Sequence, residues 1–442
     1  MKPVRKLALK QERGQILVIL AIGIVGIFAI AGLAIDGSRV YQAKRQNQST
    51  ADSAVLTAAG VAQNYIKLAQ PEIFYCDLDD ATALTRQASD AGLTSAQIGA
   101  AQDGVTLARY DISTNGVTTR CGVDGVRTYM DFTAKVTSIT QTTLARVIGI
   151  DTLPASATAS VRIYPYQSAA YGNAISSLNP ICGGIDFGGT IELTIFKGGV
   201  FSNSCIDGNG GPQVDVQTSS IQYGIGYTPP DSAGGFISPE PEHTNDRLNT
   251  QNLIAPPACP SSGYSAPPSV NGVPGAYAGI KVNNNATLTL APGLYCINGD
   301  IDVAANGTLN AQGVTFAMVG GSTKFNGTAN LFLHAPTCDS NADPDCIPAG
   351  FTAATAYLKG ILFYVFPSNV TTITLNGNST NDYTGMIYAP TSLVKITGTS
   401  DSKTFNTQII AWDVAIEGNA RLQMDQSSAD TFHYQSSMDM SK

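Results

Sequence analysis

Charge is scarce in this chain: Asp, Glu, Lys and Arg make up 13% of 442 residues, and the balance is acidic, with a formal net charge of -8. Phosphate binding needs a basic patch, so no nucleic-acid partner is expected. Histidine is scarcer still. His243, His334 and His433 are the only three, and they fall in a Pro-rich loop, at a strand end and near the C-terminus. The sequence has no His-Glu-x-x-His zinc motif, no Walker loop and no nucleophile elbow. Cys-x-x-Cys spacing, the usual mark of a structural zinc site, is also missing. These absences leave no catalytic residue, no cofactor-binding residue and no metal ligand to nominate. The expectation is a protein that is not an enzyme and uses no cofactor.

Charge disappears entirely between Ile16 and Ile35, and Asp36 closes the run. Twenty such residues at about 1.5 Å rise each cross a hydrocarbon core of about 30 Å. Ahead of the run, Lys2, Arg5, Lys6, Lys10 and Arg13 oppose Glu12 alone. The excess of cations predicts a cytoplasmic head at 1–15, a transmembrane helix at 16–35 and an extracytoplasmic remainder: a single-pass protein of the cell (inner) membrane. Five cations less one carboxylate give the head +4, so the chain total of -8 leaves -12 for the remainder. A cleaved signal peptide is the competing reading. Ala29-Ile30-Ala31 before Gly32 is a passable cleavage site, but the apolar stretch of a signal peptide is only about 7–15 residues long. A retained anchor is expected.

All eight cysteines (Cys76, Cys121, Cys182, Cys205, Cys259, Cys296, Cys338 and Cys346) lie beyond the membrane run. An even number on the oxidising side reads as disulfides. Pairing of sequence neighbours, 76 with 121, 182 with 205, 259 with 296 and 338 with 346, is one of 105 possible connectivities.

Past Asp36 the helical character continues. Tyr41 to Leu68 is rich in Gln and Ala, contains no proline and has one glycine, Gly60, which predicts a helical stalk at 36–70 ending before Pro71.

Taken in order, Arg13-Gly14-Gln15, the apolar run, Asp36-Gly37-Ser38-Arg39, the polar stretch Gln46-Asn47-Gln48-Ser49-Thr50-Ala51-Asp52-Ser53-Ala54 and Ala58-Ala59 resemble the N-terminal region of TadE/TadG-like Flp pilus-assembly (tight adherence) proteins. The resemblance covers about 50 residues. It implies a membrane-anchored accessory of pilus assembly whose helix packs with other pilus-assembly or secretion membrane proteins. Pilin-type precursors are cut after a Gly ahead of the run, which Gly14 fits, but they place Glu five residues later, where this chain has Ile19. The larger relatives' von Willebrand A module is not implied, because Asp111-Ile112-Ser113-Thr114-Asn115 lacks the last Ser of the metal motif.

Residues 71–166 read as a small α+β domain. Gly104 to Ile112, Arg127 to Ile139 and Ala155 to Tyr164 alternate as half-buried strands do, and Thr142 to Ile150 has a short helical pattern.

Residues 172–425 carry an internal repeat. Apolar-x-apolar triplets start at Ile280, Ile301, Thr323, Ile373, Val394 and Val414, each running into a Gly or Asn turn, with spacings of 21, 22, 50, 21 and 20. A period of about 21 without an amphipathic helix predicts an all-β, right-handed parallel β-helix, or solenoid. Second strands, apolar nearly throughout, follow at Gly293 to Ile297, Gly313 to Val319, Asn330 to His334, Gly360 to Phe366, Gly385 to Tyr388 and Gln408 to Trp412. The stretch 208–275, dense in Pro, Gly and Ser, reads as a surface excursion, and 426–442 as a tail.

Some β-helices are polysaccharide lyases or hydrolases, and such chemistry needs paired carboxylates on one face. Asp300 and Asp302 are the nearest candidates, and a solvated strand end accounts for both. Oxygen side chains recur at every second position from Cys338 to Asp345, as in a calcium loop, but Pro344 stands where Gly should make the turn. An acidic loop closed by a short disulfide is expected instead. Trp412, Phe363, Tyr364 and Phe366 read as solenoid core rather than a sugar-stacking row. The Asn-x-Thr strings at Asn285, Asn306, Asn326 and Asn369 mostly coincide with repeat turns. The reading is a membrane-anchored structural component of Flp (Tad-type) pilus assembly whose solenoid contacts a protein, surface or glycan. A stand-alone adhesin or glycan-binding protein is the alternative, and a polysaccharide lyase or hydrolase the third class.

Overall fold

The structure, a computed structural model, describes residues 15–69, 74, 76–124, 127–229, 237–245, 247–248, 253–268, 271–338, 346–377, 379–398, 404–419, 421–425, 431–434 and 436–441. The basic head through Gly14 and the acidic string 339–345 lie outside the described residues.

Helix α1 runs unbroken from Gln15 to Ala69 over 55 residues, since no proline interrupts it. Its first part is bare. Beyond Asp36 the segment expected as a helical stalk is helical to Ala69 and packs into the folded domain, with Ala51, Ala54, Val55, Ala58, Ala59, Ala62 and Ile66 all buried. These residues recur at helical spacing and face helix α2 (Leu84–Gln102) and strands β3 (Arg127–Gln141) and β4 (Thr152–Tyr164). The helices approach closely at Gly92, where a Cβ would stand 2.5 Å from the Ala58 carbonyl oxygen. With β1 (Ala108–Arg109) and β2 (Gly116–Asp124) the strands form a sheet in the order β1, β2, β3, β4, and Ser437–Ser441 adds a fifth strand antiparallel to β4. The expected tail is therefore an edge strand of the first domain. The sequence reading had no helix at 84–102, where small residues pack and no side chain caps the N-terminus.

The remainder is a parallel β-solenoid of about ten turns. Each complete coil contributes one strand to each of three faces. All six repeat triplets named from the sequence lie on one face, where in-register partners form inward columns such as Leu375, Ile396, Ile416 and Phe187. A second face stacks Leu290, Ala311 and Leu333, then Phe405, Met424, Ile195 and Val216. The third stacks Tyr295, Phe316, Phe363, Ile387, Ile409, Ile175, Val200 and Ile221. Burying each Val, Leu, Ile, Phe or Met side chain of these columns contributes about 1.5–3 kcal/mol. Asn285 and Asn306 occupy left-handed corners at φ 58° and 54°, a conformation asparagine tolerates better than most residues. That accounts for the Asn-x-Thr strings at Asn285 and Asn306. Asn330–His334 pairs with Thr308–Gln312 on the second face, not with the doubly buried strands of the third.

The columns also show that the coils are not stacked in chain order. Residue numbers rise from 295 to 409 and then drop to 175. Strands of the last coils, within Thr404–Gly418 and at Arg421–Met424, pair in parallel with Ile175–Ser177, Ile185–Gly189 and Glu192–Ile195. The chain thus enters the solenoid in its middle, at a coil assembled from both ends of the domain. It builds one end first, crosses to the other end and returns.

This order corrects the excursion expected at 208–275. Strands Cys205–Gly210, Gln213–Val216, Ile221–Tyr223 and Gly226–Thr228 belong to the stack. The stretch that leaves it after His243 is the crossing itself, a strap laid along the outside of the third face. Leu248 exchanges backbone hydrogen bonds with the Asn203 side chain, Tyr434 donates to the Leu253 carbonyl and Tyr364 to that of Ile254. Disulfide Cys259–Cys296 and a bridge from Ser265 to Tyr277 fix its far end. Leu248, Leu253 and Ile254 cover Phe201, Tyr364, Tyr388 and Ile410 in a second, outer core. Of the aromatics expected inside the solenoid, Phe363 points inward, whereas Tyr364, Phe366 and Trp412 belong to this outer layer.

Candidate functional site

The part of α1 before Gly32 has no protein partner among the described residues: Leu17, Val25, Phe28 and Ile30 are each about two-thirds exposed or more. It is the one described helix long and apolar enough to cross a membrane. Protein contact begins at Gly32 and Asp36, one turn apart on one helix face. Asp36 is buried, and its carboxylate accepts hydrogen bonds from the N–H groups of Thr143, Leu144 and Ala145 at 2.7, 3.0 and 2.8 Å. These donors, Ala145 first, hold its carboxyl below the usual carboxylate range. Arg39 donates to Thr143 Oγ1 at 2.6 Å. The Asp36-x-x-Arg39 exit is therefore a clasp that pins the β3–β4 hairpin tip to the anchor helix.

The polar stretch that follows is equally built in. Asn47 donates to Ser138 Oγ at 2.9 Å and to the Ala155 carbonyl at 2.8 Å, while Thr50 donates to Asp103 at 2.9 Å. Buried polar groups are tolerated when so satisfied, and they fix rotation and register of the helix against the sheet.

On the solenoid, the carboxylates singled out from the sequence enter a charge ladder. Asp302 stands in register between Lys281 and Lys324, and Asp300 accepts from Ser322 N–H at 2.8 Å and pairs with Lys324, which lowers its pKa. His334 faces Asp382 at 3.2 Å in a cleft of about 490 Å³ that also includes Gln312, Thr384 and Asn406. Gln312, His334, Thr384 and Asn406 are in-register neighbours on four successive coils. His433 receives or gives a hydrogen bond with Ser168 at 2.9 Å, and His243 packs edge-on against Tyr223. The four disulfides join Cys76 to Cys121, Cys182 to Cys205, Cys259 to Cys296 and Cys338 to Cys346. The described residues contain no cluster of three or more His, Cys, Asp or Glu able to hold a metal.

Residues 14–62 match the family model described as Tad, putative Flp pilus-assembly TadE/G-like. The matched TadE/G-like segment takes in the bare apolar helix, the Asp36 clasp and the buried stripe through Ala62. No curated protein and no solved structure matches the chain. The resemblance carried by the N-terminal residues is thus a family match. It ends within α1, so the solenoid falls outside it.

Proposed function

We propose that this chain is a non-catalytic, membrane-anchored accessory of Flp-type pilus assembly that positions a β-solenoid on the extracytoplasmic side of the inner membrane. The TadE/G-like match over 14–62 carries this reading, because it falls on the one described helix that leaves a long apolar surface uncovered. That bare surface is free to pack against lipid and against helices of other pilus-assembly proteins, while the later part of the same helix, from Asp36 to Ile66, is locked into the folded domain. The basic head supports a cytoplasmic N-terminus. Disulfides throughout the folded part support an oxidising compartment.

Purification of the full chain in mild detergent tests the proposal. Recovery of pilus-assembly subunits is expected, and their loss when residues 17–31 are replaced by an unrelated apolar span. A chain that purifies alone would sink it. A second reading, glycan contact, is favoured by the cleft at His334: amide, imidazole and hydroxyl groups spaced one strand apart, with the Asp382 carboxylate beside the imidazole, suit a polyhydroxylated chain. Binding of soluble glycans by a protein without pilus partners would favour it over the first.

A further inference from the structure

The β3–β4 hairpin tip, residues 142–151, is held lower on α1 than any other described part of the folded domain. The Asp36 carboxylate and Arg39 fix it there. One turn toward the N-terminus, Gly32 lies under the Leu144 side chain so closely that a Cβ on Gly32 would stand 2.7 Å from Leu144 Cβ. Gly32 is inside the apolar run, which continues to Ile35. Four residues of helix rise separate Gly32 from Asp36, so Leu144 reaches about 6 Å past Asp36 toward the middle of the run.

The tip is apolar on its open side. Val147 is 83% exposed and Ile150 42%, Ile139 of β3 just ahead of the tip is 70% exposed, and the adjoining helix surface is bare as well, with Leu33 78% exposed. Its polar groups are occupied locally: Thr142 Oγ1 donates to the Ile150 carbonyl, and Arg146 pairs with Asp151 at 3.1 Å. This aliphatic patch is continuous with the bare surface of the span, which singles out lipid as its occupant.

We propose that the β3–β4 tip is a second membrane contact, with Leu144, Val147 and Ile150 entering the hydrocarbon boundary of the leaflet that faces the folded domains, beside α1. Arg146 is then placed among the phospholipid phosphates. The depth of about 6 Å falls within the 5–10 Å typical of interfacial segments. Two contacts beside each other hold the folded domain at a fixed tilt, which one helix crossing alone does not. The inference rests on α1 spanning the bilayer.

The test places the full chain in nanodiscs of phosphatidylcholine with acyl chains brominated near the glycerol end, using the variants Val147→Trp and Ile150→Trp. Wild-type emission from Trp412 serves as the baseline. Expected is added emission at short wavelength that the brominated lipid quenches and aqueous acrylamide does not. Emission at the wavelength of a water-exposed indole, quenched by acrylamide and untouched by bromine, overturns the proposal. Phe28→Trp separates the two levels of inference in nanodiscs brominated near the chain ends. If Phe28→Trp is quenched and both tip variants are not, the tip proposal alone fails. If Phe28→Trp also escapes quenching, the spanning reading falls and takes the proposal with it.

Discussion

The out-of-order stacking of the solenoid makes Phe187 and Ile416 direct neighbours although 229 positions separate them in the chain. Both are fully buried. Truncation of a buried Phe to Ala costs about 3–5 kcal/mol and of a buried Ile about 2–5 kcal/mol, the spread reflecting how far each cavity collapses. Because the two side chains are register partners, the first cavity removes packing that the second residue would otherwise lose. The Phe187→Ala, Ile416→Ala double variant should therefore cost less than the sum of the singles, by about 0.5–3 kcal/mol. Urea unfolding of the full chain in mild detergent measures this. The only tryptophan, Trp412, lies in the strand that docks on the entry coil, and its carbonyl accepts from Ser177 Oγ at 2.7 Å. Its fluorescence reports the junction itself. In a solenoid stacked in chain order the two residues would stand near opposite ends, roughly 40 Å apart at about 4.8 Å per rung. Their effects would then add to within about 0.5 kcal/mol, and that result would refute the stacking order.

Three further outcomes follow from the same contacts. Replacing Cys259 and Cys296 together by Ser opens a loop of 37 residues and should lower stability by up to about 4 kcal/mol on the chain-entropy estimate, with new protease cleavage in the strap around Leu253. Burial pushes the His433 imidazole down to about 4 from 6.5, so the unfolded chain binds its proton more readily. Stability should be fully present above about pH 6.5 and fall by up to about 3 kcal/mol as pH drops toward 4, with a flatter pH profile of Tm in His433→Gln. Asp36→Asn should speed amide hydrogen exchange at Thr143, Leu144 and Ala145. Its wild-type carboxyl titrates below the usual range, so the clasp should persist at neutral pH and weaken only as pH falls through that lowered value; unchanged exchange in the variant would show that the clasp does not hold the tip.

The sequence announced the anchor, the coil period and the cysteine neighbours because each leaves a local mark: an uncharged run, an inward residue at fixed spacing, a short loop to close. Stacking order leaves none. Every coil presents the same parallel edge above and below, so Ile175 accepts Ile409 as readily as a residue one coil away in sequence. Helix α2 escaped because its buried face is made of Ala88, Ser89, Gly92, Ala96 and Ala100 around the single Leu93, which gives little amphipathic contrast. The C-terminal strand did leave a signal, the alternation Ser437-Met438-Asp439-Met440-Ser441, with Met438 packing on the first core. In the strap, Leu248, Leu253 and Ile254 are the apolar points within a Pro- and Gly-rich stretch, and their role emerges only once Tyr364 and Tyr388 are seen to point outward. At the clasp, Asp36 was legible as the end of the apolar run but not as a capping group, since its three donors lie more than 100 residues away.

The stacking order bears on how an anchored solenoid transmits load. In a solenoid stacked in chain order, each repeat touches only its neighbours, and an anchor at one terminus pulls on the end coil first. Here the chain passes from β4 into the solenoid at Ile175 and comes back from Arg421–Met424, and both crossings leave the same composite coil. The crossings are joined to each other, with Gln167–Ser168 pairing antiparallel with His433–Tyr434, and the returning chain then completes the sheet that rests on α1. Force on α1 thus reaches the solenoid by one covalent path, through β4, and by the hydrogen-bonded pairing of the returning chain with that same path, and it enters mid-stack, where interior columns continue on both sides. To peel a coil from this junction, ladders toward Ile409 and toward Val200 must break together, whereas an end coil has one. The chain's attachments to the first domain thus lie at the middle of the stack and not at either end coil.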